Sequence, residues 1–337
     1  MKKIIILIVI GAVCGAAAIF VPRLLNEHRK SVVQKTTVYI PLNSSYEQVL
    51  DSLHKGISDI ESFNKVAQRA SLQNSFKPGR YILTPDKSNK EIVRMLQNGW
   101  ESPMMLTLSG NIRNLEKLSG ILGRKLAADS AAFMEHFQKP EVWQENGFVK
   151  ETFMAMFIPN TYEVYWTITP QKFVQRMRKE YDKFWNSERV AKANSIGLKP
   201  LEVSILASIV CEETNYVPEM PKVAGVYMNR LKKGIKLDAD PTIKFALNDP
   251  SIKRILFKHL EVDSPYNTYK HTGLPPGPIT IPGTKGIDAV LNYQKHDFFY
   301  FCANANMDGT HKFAKNLHEH NRNAREYQAA LNRLKIR

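Results

Sequence analysis

Residues 201–214 read LEVSILASIVCEET and constrain the fold more than any other part of this chain. Apolar residues fall on nearly every side of a helix built from this segment, so we expect an interior helix that other elements surround. The segment ends in two adjacent acids, Glu212 and Glu213. Apolar surroundings favour the neutral form of a carboxyl and raise its pKa, and a carboxyl still protonated near neutral pH can act as a general acid. The alternative is that both glutamates lie in solvent at a helix end.

The positions of the two acids on the helix favour one of them as the candidate acid. Glu213 follows Ile209 by four residues and Ile205 by eight, so it continues an apolar row. Glu212 continues the row through Ser208, and we expect it to be the solvated neighbour.

Polar side chains alternate with rigid loops in the region that follows. The sequence reads KVAGVYMNRL at 222–231, DPT at 240–242, YNTY at 266–269 and GLPPGPI at 273–279. Proline and glycine loops hold polar groups in fixed positions, as a binding cleft requires. We therefore expect these motifs to line a cleft near Glu213.

The ordered motifs resemble those of the YceG/MltG family of endolytic murein transglycosylases. Further matching elements are ASIV-x-x-ET at 207–214, PG at 282–283, and H-x-F at 311–313 followed by HN at 320–321. The resemblance implies a lytic transglycosylase. Such an enzyme cleaves the β-1,4 bond between N-acetylmuramic acid (MurNAc) and N-acetylglucosamine (GlcNAc) in peptidoglycan, and it leaves a 1,6-anhydroMurNAc end. It would terminate or trim nascent glycan strands.

The resemblance also implies roles for individual residues. Glu213 takes the catalytic position, because it matches the family glutamate that precedes Thr. The residues expected to bind substrate are Asn229, Arg230, Asp240, Thr242, Tyr266, Asn267, Thr268, Tyr269, His311, Asn321 and Tyr162. Two positions depart from the family pattern: Cys211 replaces the first Glu of Glu-x-Glu-Thr, and Asn160 replaces an acid.

One carboxyl is enough for the implied chemistry. Glu213 would protonate the leaving glycosidic oxygen, the N-acetyl group would stabilise the cationic sugar, and the ionised Glu213 would take the proton of the attacking 6-hydroxyl. Asp240 is a candidate stabiliser. Two alternatives stay open. One is a non-catalytic wall-binding scaffold in which Glu213 is structural, and the other is a lysozyme-like muramidase in which Asp240 or Glu212 directs a water.

The N-terminal segment agrees with a cell-wall substrate. The segment from Ile4 to Val21 carries no charged residue. As a helix with a rise of roughly 1.5 Å per residue, it is close to the length needed to cross a hydrocarbon core of about 30 Å. We expect residues 4–22 to cross the bacterial inner membrane once, with the catalytic body on the external side. A cleaved signal peptide is the competing interpretation. Val13 argues against a lipoprotein anchored at Cys14.

The expected fold class is α+β, with an N-terminal transmembrane helix, a small LysM-like domain and a C-terminal lytic transglycosylase domain. The boundaries are 1–25 for the cytoplasmic tip and anchor, 38–100 for the LysM-like domain and 101–337 for the catalytic domain, divided into 101–195 and a motif-bearing core at 196–337. Segments 45–53 and 88–96 have the N-cap and apolar spacing of helices. The Lys-Pro-Gly-Arg-Tyr turn at 77–81 carries the LysM resemblance. Sugar binding and a purely spacing role both fit this domain.

The formal net charge of +15 raises the question of nucleic acid as a partner. The basic residues are spread along the chain without an arginine-rich arm, so a basic surface near an anionic membrane or wall is the simpler explanation. The expected partners are peptidoglycan strands, the lipid bilayer and peptidoglycan synthases of the membrane. We expect no cofactor, and no metal, because His318 and His320 diverge on a helix. Cys211 and Cys302 are expected as buried thiols or, alternatively, as a pair.

Overall fold

The computed structural model describes residues 2–249, 251–252 and 254–333. The chain folds into two compact units. The small unit consists of Met1–Leu106, Lys125–Ala128 and Glu163–Thr169, and the large unit consists of Thr107–Arg124, Asp129–Tyr162 and Pro170–Arg337. The chain therefore returns twice to the small unit after leaving it, which the contiguous boundaries drawn from the sequence did not anticipate.

The small unit is a mixed α/β structure with a long N-terminal helix. Its elements are α1 (Lys2–His28), β1 (Thr36–Ile40), α2 (Tyr46–His54), α3 (Ile60–Arg69), β2 (Gly79–Leu83) and α4 (Asn89–Asn98). Strands β1 and β2 pair antiparallel with Val38 opposite Tyr81, and both residues are buried in the apolar core of the unit.

Capping residues define the ends of α2 and α4, and the two helices predicted at 45–53 and 88–96 are confirmed. Ser45 and Ser88 each accept a backbone hydrogen bond from the third helical residue, and the side chains of Gln48 and Glu91 return the contact. Gly99 ends α4 with a φ of 65°, a left-handed conformation that glycine adopts without steric cost.

Helix α1 is long and apolar enough to cross a membrane, and none of the apolar window is buried against the described protein. The bent helix pair Ser187–Ser195 and Pro200–Glu213 passes the same test of length and composition, but the second helix of that pair is a core helix.

The last turn of α1 is bound to the small unit by polar contacts. The side-chain oxygen of Asn26 accepts a hydrogen bond from the Ser62 hydroxyl at 2.9 Å. The backbone carbonyl of Asn26 accepts one from the side-chain amide of Asn89 at 3.1 Å. Lys90 forms an ion pair with Glu27 at 2.7 Å. The helix is therefore joined to the folded unit by side-chain contacts as well as by the chain.

The large unit is mainly helical and carries a β-hairpin near its end. Its elements in chain order are β3 (Met104–Leu108, which begins in the small unit), α5 (Leu115–Gly123), α6 (Ser130–Phe137), α7 (Pro140–Glu145), β4 (Asn160–Val164, which ends in the small unit), α8 (Pro170–Phe184), α9 (Ser187–Ser195), α10 (Pro200–Glu213), α11 (Met220–Lys232), α12 (Asp240–Leu247), α13 (Thr284–Leu291), β5 (Tyr300–Ala303), β6 (His311–Ala314) and α14 (Leu317–Arg333). Strand β3 pairs with β4, and β5 pairs antiparallel with β6. The expected mixed α+β architecture with an N-terminal apolar helix is confirmed.

Helix α10 is the central helix of the large unit. All its residues from Val203 to Cys211 are buried, and it packs against α9, α11, α12 and α13. Gly286 permits the close approach of α13, because a Cβ at that position would lie 2.2 Å from the sulfur of Cys211. The prediction of an interior helix over this segment is confirmed.

A cluster of aromatic rings forms a second part of the core of the large unit. The fully buried members are Phe133, Phe137, Phe153, Phe157 and Phe173. Their rings contact each other mostly edge to face, an arrangement that aromatic pairs prefer. Phe157 is thus a core residue and is not available to a ligand.

Candidate active site

The end of α10 opens into a cavity of about 450 Å³ in the large unit. Its walls come from the ends of α10 and α11, the start of α12, the β5–β6 hairpin and the start of α14. The lining residues are Glu213, Tyr227, Arg230, Leu237, Asp238, Asp240, Tyr269, Phe299, Tyr300, Phe301, Cys302, Ala303, His311, Leu317 and His320. This volume lies within the range of ligand sites in proteins.

Glu213 lies at the end of α10 and lines this cavity. Burial raises the pKa of its carboxyl to about 7, although a hydrogen bond from Tyr227 opposes the shift. The Tyr227 hydroxyl donates to Oε1 of Glu213 at 2.6 Å, and burial keeps the pKa of Tyr227 well above its usual range, so the tyrosine acts as a donor. A carboxyl with this pKa is partly protonated at neutral pH and can give its proton to a ligand.

Glu212 is not the solvated neighbour that its helical row suggested. Its carboxylate pairs with the Arg113 guanidinium at 2.6 Å, and only 13% of its side chain is exposed. It lines a separate hollow of about 960 Å³ together with Lys117 and Lys244. The difference arises because the segment before α5, distant in sequence, covers this side of the helix end.

Asp240 and Tyr269 form a hydrogen-bonded pair in the cavity of Glu213. The Tyr269 hydroxyl donates to Oδ1 of Asp240 at 2.7 Å, and burial together with this bond raises the pKa of Tyr269. The charge of Asp240 also contributes to the raised pKa of Glu213. Asp240 therefore supplies negative charge to the site while Tyr269 fixes its orientation.

Arg230 forms a rigid part of the cavity wall. The residue is only 6% exposed, and its guanidinium donates to Asp238 and to the carbonyls of Phe299 and Lys236, each at 2.7 Å. A buried arginine that is held by several acceptors keeps one conformation. The side chain thus joins α11 to the β5–β6 hairpin.

His311 also lies on the cavity, at the start of β6. Its Nδ1 and backbone N–H contact the two oxygens of Glu219 at 2.7 and 2.9 Å. Five predicted site residues are therefore brought together in one cavity: Glu213, Arg230, Asp240, Tyr269 and His311.

Three other predicted binding residues hold the loops instead of lining the cavity. Thr242, Thr268 and Asn267 are buried. The hydroxyls of Thr242 and Thr268 lie 2.9 Å apart, and the Asn267 amide donates to the carbonyls of Leu260 and Val262 at 2.8 Å. Their polar groups form hydrogen bonds within the loops, because the backbone groups of a buried loop need hydrogen-bond partners.

Asn229, Tyr266 and Asn321 also lie outside the cavity lining. The Asn229 amide donates to the carbonyl of His296 at 2.8 Å, and the ring of Tyr266 packs against Phe245 at 4.7 Å between centroids. Asn321 is exposed on α14. The HN motif places Asn321 one position past His320, so on a helix the two side chains point in different directions.

The expected cleft position of Tyr162 is not observed. Tyr162 is 3% exposed, and its hydroxyl donates to the carbonyl of Ile158. A tyrosine can occupy an apolar core when its hydroxyl finds an acceptor there.

Tyr227 and Glu219 are the site residues that sequence reasoning missed. Tyr227 precedes Arg230 by three positions on α11, which puts both on one helix face, and this spacing was the available signal. Glu219 gave no comparable signal, because its partner His311 is 92 positions away.

The two departures from the family motifs lie away from the cavity. The Cys211 sulfur is buried against α13, near Gly283 and Gly286, and burial raises the pKa of its thiol. Asn160 is exposed at the start of β4, where its side chain accepts from the backbone of Thr161. Cys211 and Cys302 are free thiols, so the alternative of a pair is wrong. Among the described residues, no three His, Cys, Asp or Glu side chains come together as ligands of a metal ion.

The chain belongs to the YceG-like family, whose model matches residues 38–326. It is 29% identical to the endolytic murein transglycosylase of Bacillus subtilis (strain 168), over 95% of this chain and 92% of that protein. It is 25% identical to the endolytic murein transglycosylase of Streptococcus pneumoniae serotype 2 (strain D39), over 86% of this chain. The chain spans only 58% of the length of the streptococcal protein.

The fold is similar to the crystal structure of a YceG-like protein from Listeria monocytogenes. The TM-score is 0.56 at 28% sequence identity, and the match covers 86% of this chain and 99% of the other.

Proposed function

We propose that this chain is an endolytic peptidoglycan lytic transglycosylase, which cleaves MurNAc-β-1,4-GlcNAc bonds and leaves 1,6-anhydroMurNAc ends. The observation that carries the proposal is Glu213, a carboxyl with a pKa raised to about 7 that faces a cavity of ligand size. Relatives from Bacillus subtilis and Streptococcus pneumoniae bear the name endolytic murein transglycosylase. The reaction would terminate or trim nascent glycan strands.

The proposed reaction begins with proton transfer from Glu213 to the glycosidic oxygen that leaves. The N-acetyl oxygen of MurNAc attacks the anomeric carbon as this bond breaks, and Asp240 lies in the same cavity as a negative charge that stabilises the cationic sugar. The 6-hydroxyl of the same sugar then attacks the anomeric carbon. Because this nucleophile belongs to the bound substrate, proximity replaces an activated water.

The same geometry gives less support to two other functions, a non-catalytic scaffold and a muramidase. Loss of catalysis through the departures at Cys211 and Asn160 would favour a non-catalytic scaffold, but neither position lines the cavity. A muramidase requires a second carboxylate that directs a water. Glu212 is paired with Arg113 outside the cavity, which leaves Asp240 as the candidate for that role.

The product of the reaction tests the proposal. Purified glycan strands treated with the full-length protein should yield fragments that end in 1,6-anhydroMurNAc, one water lighter than a hydrolysed end by mass. The Glu213→Gln variant is the matched control and should yield neither product. Reducing MurNAc ends from the wild-type protein would replace this proposal with the muramidase.

We also propose that α1 anchors the protein in the bacterial inner membrane with the catalytic body outside. The support is the length and exposure of its apolar window. Peptidoglycan synthases of the same membrane are proposed partners, since an anchored enzyme would meet strands where they are made. The full-length protein should sediment with membranes and keep its N-terminus. A mature protein that begins near residues 18–25 would mean a cleaved signal peptide instead.

For residues 38–100 we propose a LysM-like domain that binds sugar. A hollow of about 420 Å³ lies beside the start of α2, lined by Asn43, Gln48 and Asp51 among others. A tethered second sugar site helps only when one polymer reaches both sites. Asp51→Ala should therefore weaken action on long strands more than on short soluble fragments. If the variant loses activity equally on both substrates, this domain acts as a spacer and does not bind sugar.

A further inference from the structure

We propose that His311 is a second catalytic residue of the cavity, which accepts the proton of the sugar hydroxyl that attacks the anomeric carbon. Glu219 is its positioning residue. The proposal rests on the proposed function and assigns the last proton transfer of that reaction to an imidazole instead of returning it to Glu213.

The contacts of Glu219 orient the imidazole. Its Oε2 lies 2.7 Å from Nδ1 of His311, and its Oε1 accepts the backbone N–H of the same residue at 2.9 Å. The side chains of His311 and Glu219 are only 14% and 9% exposed. Both carboxylate oxygens therefore serve one residue, and they fix the ring and the backbone that carries it.

The orientation determines which nitrogen is free to react. When Nδ1–H donates to the carboxylate, Nε2 carries the lone pair of the neutral ring. Nε2 forms no hydrogen bond with any residue that the structure describes, and His311 lines the cavity of Glu213. A carboxylate that holds an imidazole in this tautomer also stabilises the imidazolium formed when Nε2 takes a proton.

Two aromatic side chains, Phe301 and Tyr227, connect this imidazole to the acid. Phe301 contacts Tyr227 edge to face with 5.8 Å between centroids, and it contacts His311 in the same manner with 5.3 Å. Tyr227 in turn donates to Glu213. Glu213 and His311 are thus linked through two rings and line the same cavity, so a sugar bound there can meet each group at a different atom.

The proton and bond changes balance without any further reactant. In the first step the acetamido oxygen bonds to C1, the C1–O bond to GlcNAc breaks, and the leaving oxygen takes the proton of Glu213. In the second step O6 bonds to C1, the bond from C1 to the acetamido oxygen breaks, and the O6 proton moves to Nε2 of His311. The imidazolium then returns a proton to the Glu213 carboxylate through water, which restores both groups.

Chemical rescue by small bases tests the assignment in the full-length protein. His311→Ala should lose on the order of 10²-fold in kcat, since removal of a general base typically has an effect of this size. Added imidazole should restore part of the activity, because it can enter the space that the ring leaves. The weaker base 1,2,4-triazole, of similar shape, should restore less. His311→Gln keeps a hydrogen-bonding side chain but cannot take a proton, and it should be as inactive as His311→Ala.

Matched variants separate a catalytic role from a structural one. Glu219→Gln should lower kcat more than it raises KM and should leave the melting temperature near that of the wild type. His318→Gln, an exposed histidine at the start of α14, should retain full activity. Wild-type activity in His311→Gln would overturn the proposal, as would equal rescue by imidazole and triazole. Either result would leave anhydro products and the role of Glu213 intact, so the two proposals fail separately.

Discussion

Two glutamates at helix ends, Glu91 in the small unit and Glu213 in the large unit, have pKa values shifted in opposite directions. At the start of α4, the hydroxyl and backbone N–H of Ser88 donate to Glu91 at 2.7 and 2.8 Å, and these bonds lower its pKa. At the end of α10, burial raises the pKa of Glu213 to about 7. The helix dipole acts in the same two directions, because it favours anions at N-termini and disfavours them at C-termini.

The contrast separates a carboxylate that builds structure from a carboxyl that can do chemistry. Glu91 is exposed and surrounded by donors, so ionisation and folding favour each other. Glu213 has one hydrogen-bond donor, Tyr227, and its burial at the end of α10 disfavours the charged form. Its position makes ionisation unfavourable, which is the property that a general acid needs at neutral pH.

The largest expected effect is on activity at the end of α10. Glu213→Gln keeps the size of the side chain but cannot transfer a proton, so cleavage of glycan strands should fall by roughly 10² to 10⁴ or more. Glu212→Gln is the adjacent control and should change the rate much less, because Glu212 lies outside the cavity. Comparable losses in the two variants would contradict the assignment of Glu213 as the acid.

The same substitution should change stability with pH. The pKa of Glu213 rises from an ordinary 4.5 to about 7 on folding, so the folded state holds the proton more tightly and stability falls as pH rises through this window. Glu213→Gln removes this dependence and should be more stable than the wild type by about 3 kcal/mol at pH 8, with a small difference at pH 5. Denaturant unfolding at both pH values measures this, and a pH-independent difference would refute it.

A smaller change is expected when Tyr227 loses its hydroxyl. The hydrogen bond from Tyr227 favours the ionised form of Glu213, so Tyr227→Phe should raise the pKa of the acid further. The basic limb of the pH–rate profile should move to higher pH by up to about one pH unit. This shift corresponds to a roughly tenfold difference in the acid dissociation constant of Glu213. Tyr165→Phe, at an exposed tyrosine, provides the control. A shift of the acidic limb to higher pH, with the basic limb unchanged, would mean that Glu213 acts in its ionised form.

The smallest effect is expected at the start of α4. Ser88→Ala removes the cap and should lower the local free energy of unfolding by about 1 kcal/mol, with activity on short fragments unchanged. Hydrogen exchange of the α4 amides measures the change, and α2 is the internal control. Because the pKa of Glu91 is lowered from 4.5, its contribution is complete above that pH and is lost as pH falls through the lowered value. Unchanged protection of α4 in the variant would show that the cap is not needed.

Local patterns predicted the features that depend on neighbouring residues. The caps at Ser45 and Ser88 and the interior character of α10 follow from side chains within a few positions of each other. The preference for Glu213 over Glu212 followed from helical periodicity in the same way. The roles of the loop residues could not be predicted in this way. Thr242, Asn267 and Thr268 form hydrogen bonds within the loops themselves. In the sequence, a polar residue of a rigid loop looks the same whether it binds a ligand or the backbone.

By itself, the sequence determined the apolar N-terminal helix, the family motifs and the glutamate that ends the central helix. Only the tertiary structure decided what surrounds that acid. Arg113 meets Glu212 across 99 positions and His311 meets Glu219 across 92. The reason is physical: helix periodicity acts over a few residues, whereas a pKa, an ion pair or the tautomer of an imidazole depends on groups that come together only when distant segments pack.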